Sequence, residues 1–517
     1  MRHLALALTI ATTAPLAAQT LGTIDFPNSG KREAQEPFLR GVLLLHSFEY
    51  EDAAKAFREA ELVDPDFALA YWGEAMTYTH PLWNQQDTVA GQEALMRLAP
   101  TSAGRRAKVT TDREKGFLAA TEALYFGDGS KARRDTLCAE AFERLLKANP
   151  TDDESKAFYA LWLMGLSQAV RNVPTYMRAG ALAEEIYRHN PNHPGALHYI
   201  IHAFDDPVHA PLGLHAAREY SRTAPDADHA QHMTTHIFLA LGMWEETVRQ
   251  NAIAAGPDSL DWKPGHYTAW LVYALQQQGK FDAARRILER MRQNLAAAPG
   301  VARASYLLVM RSHYMMDTER WTSPIGGWVL DTANVPPGPL AIDAYTVGIT
   351  QLELGHPERA TKPLAALDRL ATMDQGDNVY GANASLPGIL ATQLRARLLW
   401  AQGSRDSAIV LLRQTEARED ALPAEFGPPD IVKPTHELIG ELLLTLDQPK
   451  EAQREFARAL ELAPGRSQAL LGLARAAQAA GDTAAELRAL DRLEHNWSGA
   501  DSGLPMVLQY QQLRAAR

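Results

Sequence analysis

Eight of the chain's 17 histidines fall between His198 and His266. Four of them form two pairs of identical spacing, His198-Tyr199-Ile200-Ile201-His202 and His232-Met233-Thr234-Thr235-His236. Residues four apart on a helix share a face, with Cβ atoms about 6 Å apart. Each pair therefore presents two imidazoles to one side. The pairs lie 34 residues apart, and each begins seven residues after a proline, Pro191 or Pro225. Helices packed about 8–10 Å apart can bring all four rings together. Such a donor set suits Zn, Cu, Fe or Ni better than Ca or Mg. The expectation is one transition metal (Zn, Cu or Fe) on His198, His202, His232 and His236, and otherwise no cofactor.

Around this set stand further groups. His229 precedes His232 by three residues and belongs near the same face. His266 follows His232 by 34, but Gly279 and Ala284 set its unit about three residues later, which places it at a helix start on the rim. His46 and His80 also differ by 34, a weaker echo without partners. Trp72 adds an aromatic candidate for the groove lining. Asp205 and Asp206 follow the first pair, where a turn competes with ligation. Glu437 and Glu441, fixed by Gly440 and Ala452, occupy the register of His198 and His202, so either is a candidate base if its unit curls close enough. Two bland readings stand beside the metal: histidines copied by repeat duplication, and imidazoles that bind a polar ligand in a pH-sensitive way.

The elements that must position these groups repeat. Gly41, Ala53, Phe57, Ala60 and Pro65 recur with identical spacing as Gly440, Ala452, Phe456, Ala459 and Pro464. Gly348, Ala360 and Leu364 repeat part of the pattern, as do Gly279, Phe281 and Ala284. Small residues let antiparallel helices cross closely, a large apolar residue fills the gap beside them, and the proline ends the second helix. Units start near residues 34, 68, 119, 151, 194, 228, 265, 341, 389, 433 and 467. Cys138 falls where Ala53 does and reads as a buried small residue.

These residues resemble the tetratricopeptide repeat, a 34-residue helix–turn–helix unit. The resemblance implies an all-α, right-handed superhelical solenoid of about eleven units, whose first helices line a concave surface that usually takes peptides. The stretches FALAYWGEAMTYTHPLW at 67–83, HPGALHYIIHAFDDPVHAPLGLHAA at 193–217, HMTTHIFLALGMW at 232–244 and HELIGELLL at 436–444 are similar to a group of exported bacterial proteins of this repeat class with paired H-x-x-x-H segments. That group supplies no reaction.

Composition bounds the rest. The chain has 517 residues, 46% hydrophobic and 22% charged, with one cysteine and a formal net charge of −11. It is too apolar to be disordered, has no disulfide framework, and shows no basic run for nucleic acid. No phosphate loop, nucleophile elbow or Cys-x-x-Cys-His haem motif is present. Residues 1–18 read as a signal peptide, with Arg2 and His3, an apolar stretch and small residues at the exit. That points to a periplasmic or secreted protein without stable membrane insertion. The expected organisation is N-terminal repeats over 34–150, a His-rich centre over 151–317, an irregular helical segment with one unit over 318–388, C-terminal repeats over 389–500 and a tail over 501–517. The function read from this is binding of a peptide, protein or small polar ligand in the concave groove, with or without a histidine-held metal. The alternatives are a metalloenzyme with Glu437 or Glu441 as base, and an assembly scaffold with incidental histidines.

Overall fold

The computed structural model describes residues 19–167, 171–256, 264–373, 385–423 and 426–516. The signal-peptide reading lies outside them. The described chain is an all-α solenoid of eleven two-helix hairpins. The first three are α1 (Gln35–His46) with α2 (Tyr50–Val63), α3 (Ala68–Thr77) with α4 (Thr88–Leu98), and, after a short α5 (Ser102–Ala107), α6 (Asp112–Phe126) with α7 (Lys131–Ala148). The central four are α8 (Asp153–Leu166) with α9 (Val173–His189), α10 (Pro194–Ala203) with α11 (Ala210–Thr223), α12 (Asp228–Ala240) with α13 (Trp244–Ala254), and α14 (His266–Gln277) with α15 (Phe281–Ala297). A single helix, α16 (Val301–Thr318), interrupts the series. The last four are α17 (Pro337–Glu353) with α18 (Thr361–Leu370), α19 (Leu386–Ala401) with α20 (Arg405–Glu419), α21 (Thr435–Thr445) with α22 (Pro449–Leu462), and α23 (Ser467–Ala480) with α24 (Thr483–Asn496).

Two further segments carry structure of their own. The break after α3 contains a two-residue antiparallel pairing, β1 (Thr79–His80) with β2 (Gln85–Gln86). The C-terminal segment forms α25 (Pro505–Ala515), which buries Val507 and Leu513 against the last hairpin. Among the described residues, no helix is long and apolar enough to cross a membrane.

Packing explains the repeated glycines. Phe57 of α2 is wedged between α1 and α3, and a Cβ on Gly41 or Gly73 would lie 2.8 Å or 2.2 Å from its ring. Phe456 of α22 makes the same wedge, 2.9 Å from a Cβ on Gly440 and 2.2 Å from one on Gly472. One large ring holds three helices because its neighbours lack side chains. Cys138 is fully buried in α7.

The solenoid also closes on itself twice. Thr23 N donates to Asn192 O (2.9 Å), and α1 lies directly on α10, where a Cβ on Gly195 would sit 2.5 Å from His46 Nδ1. Tyr220 Oη donates to Ser47 Oγ (3.1 Å) across the same seam. Farther along, the turn after α12 meets the turn before α23. Gly242 there has φ +66° and Gly465 has φ +77°, and a Cβ on Gly242 would lie 2.4 Å from Pro464 O. Trp244 Nε1 donates to Gly465 O (3.0 Å), and Ser467 N to Gln277 Oε1 (2.9 Å). The helices α10, α12 and α14, which carry the histidine pairs and His266, stand where the two closed turns join.

Overfilling the wedge tests this packing. Gly73→Ala places a methyl against Phe57 and is expected to lower stability by about 1–3 kcal/mol, read as a lower urea midpoint. An unchanged midpoint would mean that Phe57 yields freely.

Candidate metal centre

The histidines enter the site from three successive first helices. α10 contributes His198 and His202, α12 contributes His229, His232 and His236, and α14 begins at His266. The structure sorts them into two groups of three, His198/His202/His229 and His232/His236/His266. Within each, the ligand atoms lie within 4.8 Å of one another. The four-residue set expected from the sequence is thus divided between two triads. The first is completed by His229, which the sequence placed near the same face, and the second by His266, which it placed on the rim.

Three of the six rings are oriented through Nδ1. His198 Nδ1 donates to the backbone oxygen of His46 (2.7 Å), across the seam between α10 and α1. His232 Nδ1 donates to Asn251 Oδ1 (2.7 Å), and Asn251 is held by its own donation to Thr247 O (3.0 Å). His236 Nδ1 donates to Asp205 Oδ2 at 2.5 Å. A histidine donating through Nδ1 to a carbonyl or carboxylate offers Nε2 as a lone pair, the arrangement found behind metal-bound imidazoles. The Nε2 atoms of His198, His202 and His229 are buried without a hydrogen-bond partner. Those of His232 and His236 face each other at 3.1 Å.

Burial keeps five of these rings, those of His198, His202, His229, His232 and His266, uncharged. It pushes His198 and His266 down to about 3, and pushes His202, His229 and His232 well below the ordinary histidine range. Neighbouring imidazoles add to the effect. The neutral ring is the form that binds metal. His266 is solvent-exposed by area although closely surrounded, as befits a residue at the mouth.

Aromatic rings wall the site. Phe48 packs on His198 (4.3 Å between centroids), and also meets His202 and His229. Trp270 lies 4.3 Å from His236 and 4.9 Å from His232, and Tyr267 lies 4.6 Å from His232. Trp270, Asn251, Phe48 and Tyr267 are not among the candidates that the sequence singles out. Nothing in their spacing marks them.

The other candidates fall elsewhere. His46 sits beneath the site: its Nε2 donates to Glu154 (2.8 Å) and its Nδ1 accepts from Tyr199 Oη (3.0 Å). His80 stacks on Tyr50 (3.9 Å), and Tyr50 meets Trp83, which reaches His229 at 6.0 Å. Trp72 is a fully buried core residue against Phe117 and Phe158, so it lines no groove. Asp206 is spent on the turn into α11, accepting from Val208 N, His209 N, His209 Nδ1 and Arg171. Asp205 alone of the pair reaches a histidine of the two triads, His236.

Glu437 and Glu441 do not reach the histidines in any described contact. Glu437 is fully buried in the second closed turn, paired with Arg466 (2.7 Å) and Lys433 (2.9 Å), while Arg466 also bridges to Asp317 (2.9 Å). Glu441 pairs with Lys433. A carboxylate so held is ill suited to take up a proton.

No family model matches the chain, and no curated protein matches it. The chain is similar to solved structures of human IFIT1. The dimer with PPP-AAAA is 14% identical over 90% of this chain and 95% of that one, with a TM-score of 0.38. The dimer with m7Gppp-AAAA is 14% identical over 91% of each, with a TM-score of 0.36. A likeness this distant says nothing of a ligand for this chain.

The Glu437 pairing predicts acid sensitivity. Burial alone would raise its carboxyl, but Arg466 and Lys433 override burial and hold it down to about 2. A depressed carboxylate stabilises the fold fully above its ordinary value of 4.5 and loses that contribution as pH falls towards 2. The denaturant midpoint of the wild type should therefore drop between about pH 5 and about pH 3. Glu437→Gln should flatten that drop, and equal slopes would refute the assignment.

Proposed function

We propose that this protein is an exported solenoid that binds a transition metal on the inner face of its central repeats and, through that metal, a small polar ligand. Export rests on the character of residues 1–18 alone. The metal reading rests chiefly on one observation: three imidazole Nε2 atoms, those of His198, His202 and His229, are buried within one triad and find no hydrogen-bond partner among the described residues. An unmade hydrogen bond at a buried polar atom costs about 1–3 kcal/mol. A metal ion removes that cost at all three atoms at once. The three ligands are neutral and borderline-soft, which favours Zn, Cu, Fe or Ni.

A catalytic site with three protein ligands keeps a further position for water or substrate. The proposed ligand occupies that position. Its neighbours are Phe48, Tyr267 and Trp83, so it is flanked by apolar faces with few protein donors. The metalloenzyme alternative loses its base in Glu437 and Glu441, which the second turn engages in ion pairs. Any proton transfer at this centre would fall to the metal-bound water or to a histidine.

The test is elemental. Tag-free protein from the exported fraction, purified without chelator, should carry a stoichiometric transition metal by ICP-MS. The His202→Ala/His236→Ala double variant should lose it while its far-UV circular dichroism stays that of the wild type. Metal-free wild type that also refuses Zn, Cu, Fe and Ni on reconstitution would overturn the reading. Loss of helicity in the variant would make the cluster structural.

A further inference from the structure

The proposal above needs one metal site, yet the two triads are copies of each other. His198 and His202 are related to His232 and His236 by 34 residues. The third members, His229 and His266, are related by 37 residues. That offset is the one between the turn residues Gly242 and Gly279, so each histidine stands 13 residues before its own unit's turn glycine. Each triad is therefore built by one rule: an i, i+4 pair from one first helix and the opening histidine of the next. One step along the solenoid converts the first triad into the second.

The second triad is prepared as carefully as the first. His232 and His236 have Nδ1 pinned by Asn251 and Asp205, and their Nε2 lone pairs face each other at 3.1 Å. Two nitrogens bound to one ion at about 2.0–2.1 Å lie about 2.9–3.4 Å apart for right-angled to tetrahedral geometry. The observed separation falls inside that span without any movement of the rings. The triads also share a border. His202 and His236 approach to 6.0 Å between centroids, and His229 and His232 to 6.1 Å.

We infer that the six histidines form a binuclear centre, one divalent transition-metal ion per triad, that takes a small anion between the ions. This deepens the proposed function and rests on it. The anion follows from charge. All six protein ligands are imidazoles, and among the described residues the one carboxylate hydrogen-bonded to a ligand ring is Asp205, behind His236. Two divalent ions would bring four positive charges into a largely buried site, which demands anionic compensation at the open positions. Hydroxide, or the oxygen of a carboxylate or phosphate group, has the size and charge to bridge.

Cobalt substitution tests this. Full-length chain is stripped with chelator, titrated with Co2+ and counted by ICP-MS, with azide as the anionic probe. The wild type should saturate at two Co2+ per chain, with spin coupling between them by EPR, and should bind azide with a change in its visible spectrum. His266→Ala, on the exposed rim, should fall to one ion with the coupling gone, and so should His229→Ala. Saturation of the wild type at a single ion that His202→Ala removes would overturn the binuclear centre and leave the single-metal reading standing. No Co2+ at saturation would overturn both. Two uncoupled ions, or two ions indifferent to azide, would overturn the shared site.

Discussion

Laying α1 directly on α10 fixes almost everything that follows, because it takes two inner helix faces out of water and commits every polar group on them. Glu154 shows what that commitment costs and how it is met. Its carboxylate is fully buried and accepts from both His46 Nε2 (2.8 Å) and His193 Nε2 (3.2 Å), while His193 Nδ1 accepts from Ala196 N and His46 Nδ1 from Tyr199 Oη. Each atom in that network is engaged, so the cluster reads as a keystone. The second closed turn reaches the same end with other residues: Arg466, Glu437, Asp317 and Lys433, all nearly inaccessible, neutralise one another at its centre. The first keystone also serves the site, since the backbone oxygen that orients His198 belongs to His46.

Much of the solenoid was legible in the sequence because its information is local. A phenylalanine that must sit between two glycines leaves a fixed spacing, and Phe57 and Phe456 leave the same one at opposite ends of the chain. Unit starts read from that spacing fall on α1, α3, α8, α10, α12, α14, α21 and α23 within two residues. The histidine pairs were legible for the same reason, as a doublet on one helix face. What joins the pairs was not. Whether His202 meets His229 or His232 depends on how far one repeat rotates against the next, which no spacing records. Glu437 shows the same limit from the other side. Its register matches His198, but its partner Arg466 comes from the turn before α23, a pairing that no spacing marks.

The sequence also misjudged depth. Trp72 occupies an inward-looking position, yet Phe117 of α6 and Phe158 of α8 pack against it and bury it. An inward position lines a groove only if the superhelix stays open there. The small-residue stripe that allows closure, Gly195 against His46 above all, was visible as residues and not as a contact.

Contrast between the two kinds of buried histidine carries the functional reading furthest. At His46 and His193, which serve the fold, the chain supplies a partner to each ring nitrogen. At His198, His202 and His229 it leaves Nε2 unpartnered in a site from which water is largely excluded. Three such atoms at about 1–3 kcal/mol each are a large fraction of the 5–15 kcal/mol by which a domain is stable. A scaffold with incidental histidines would carry that penalty for nothing, and replacement by leucine would relieve it. An ion that accepts those lone pairs converts the same three atoms from a penalty into a source of stability. The arrangement is physically consistent with a fold completed by what it binds.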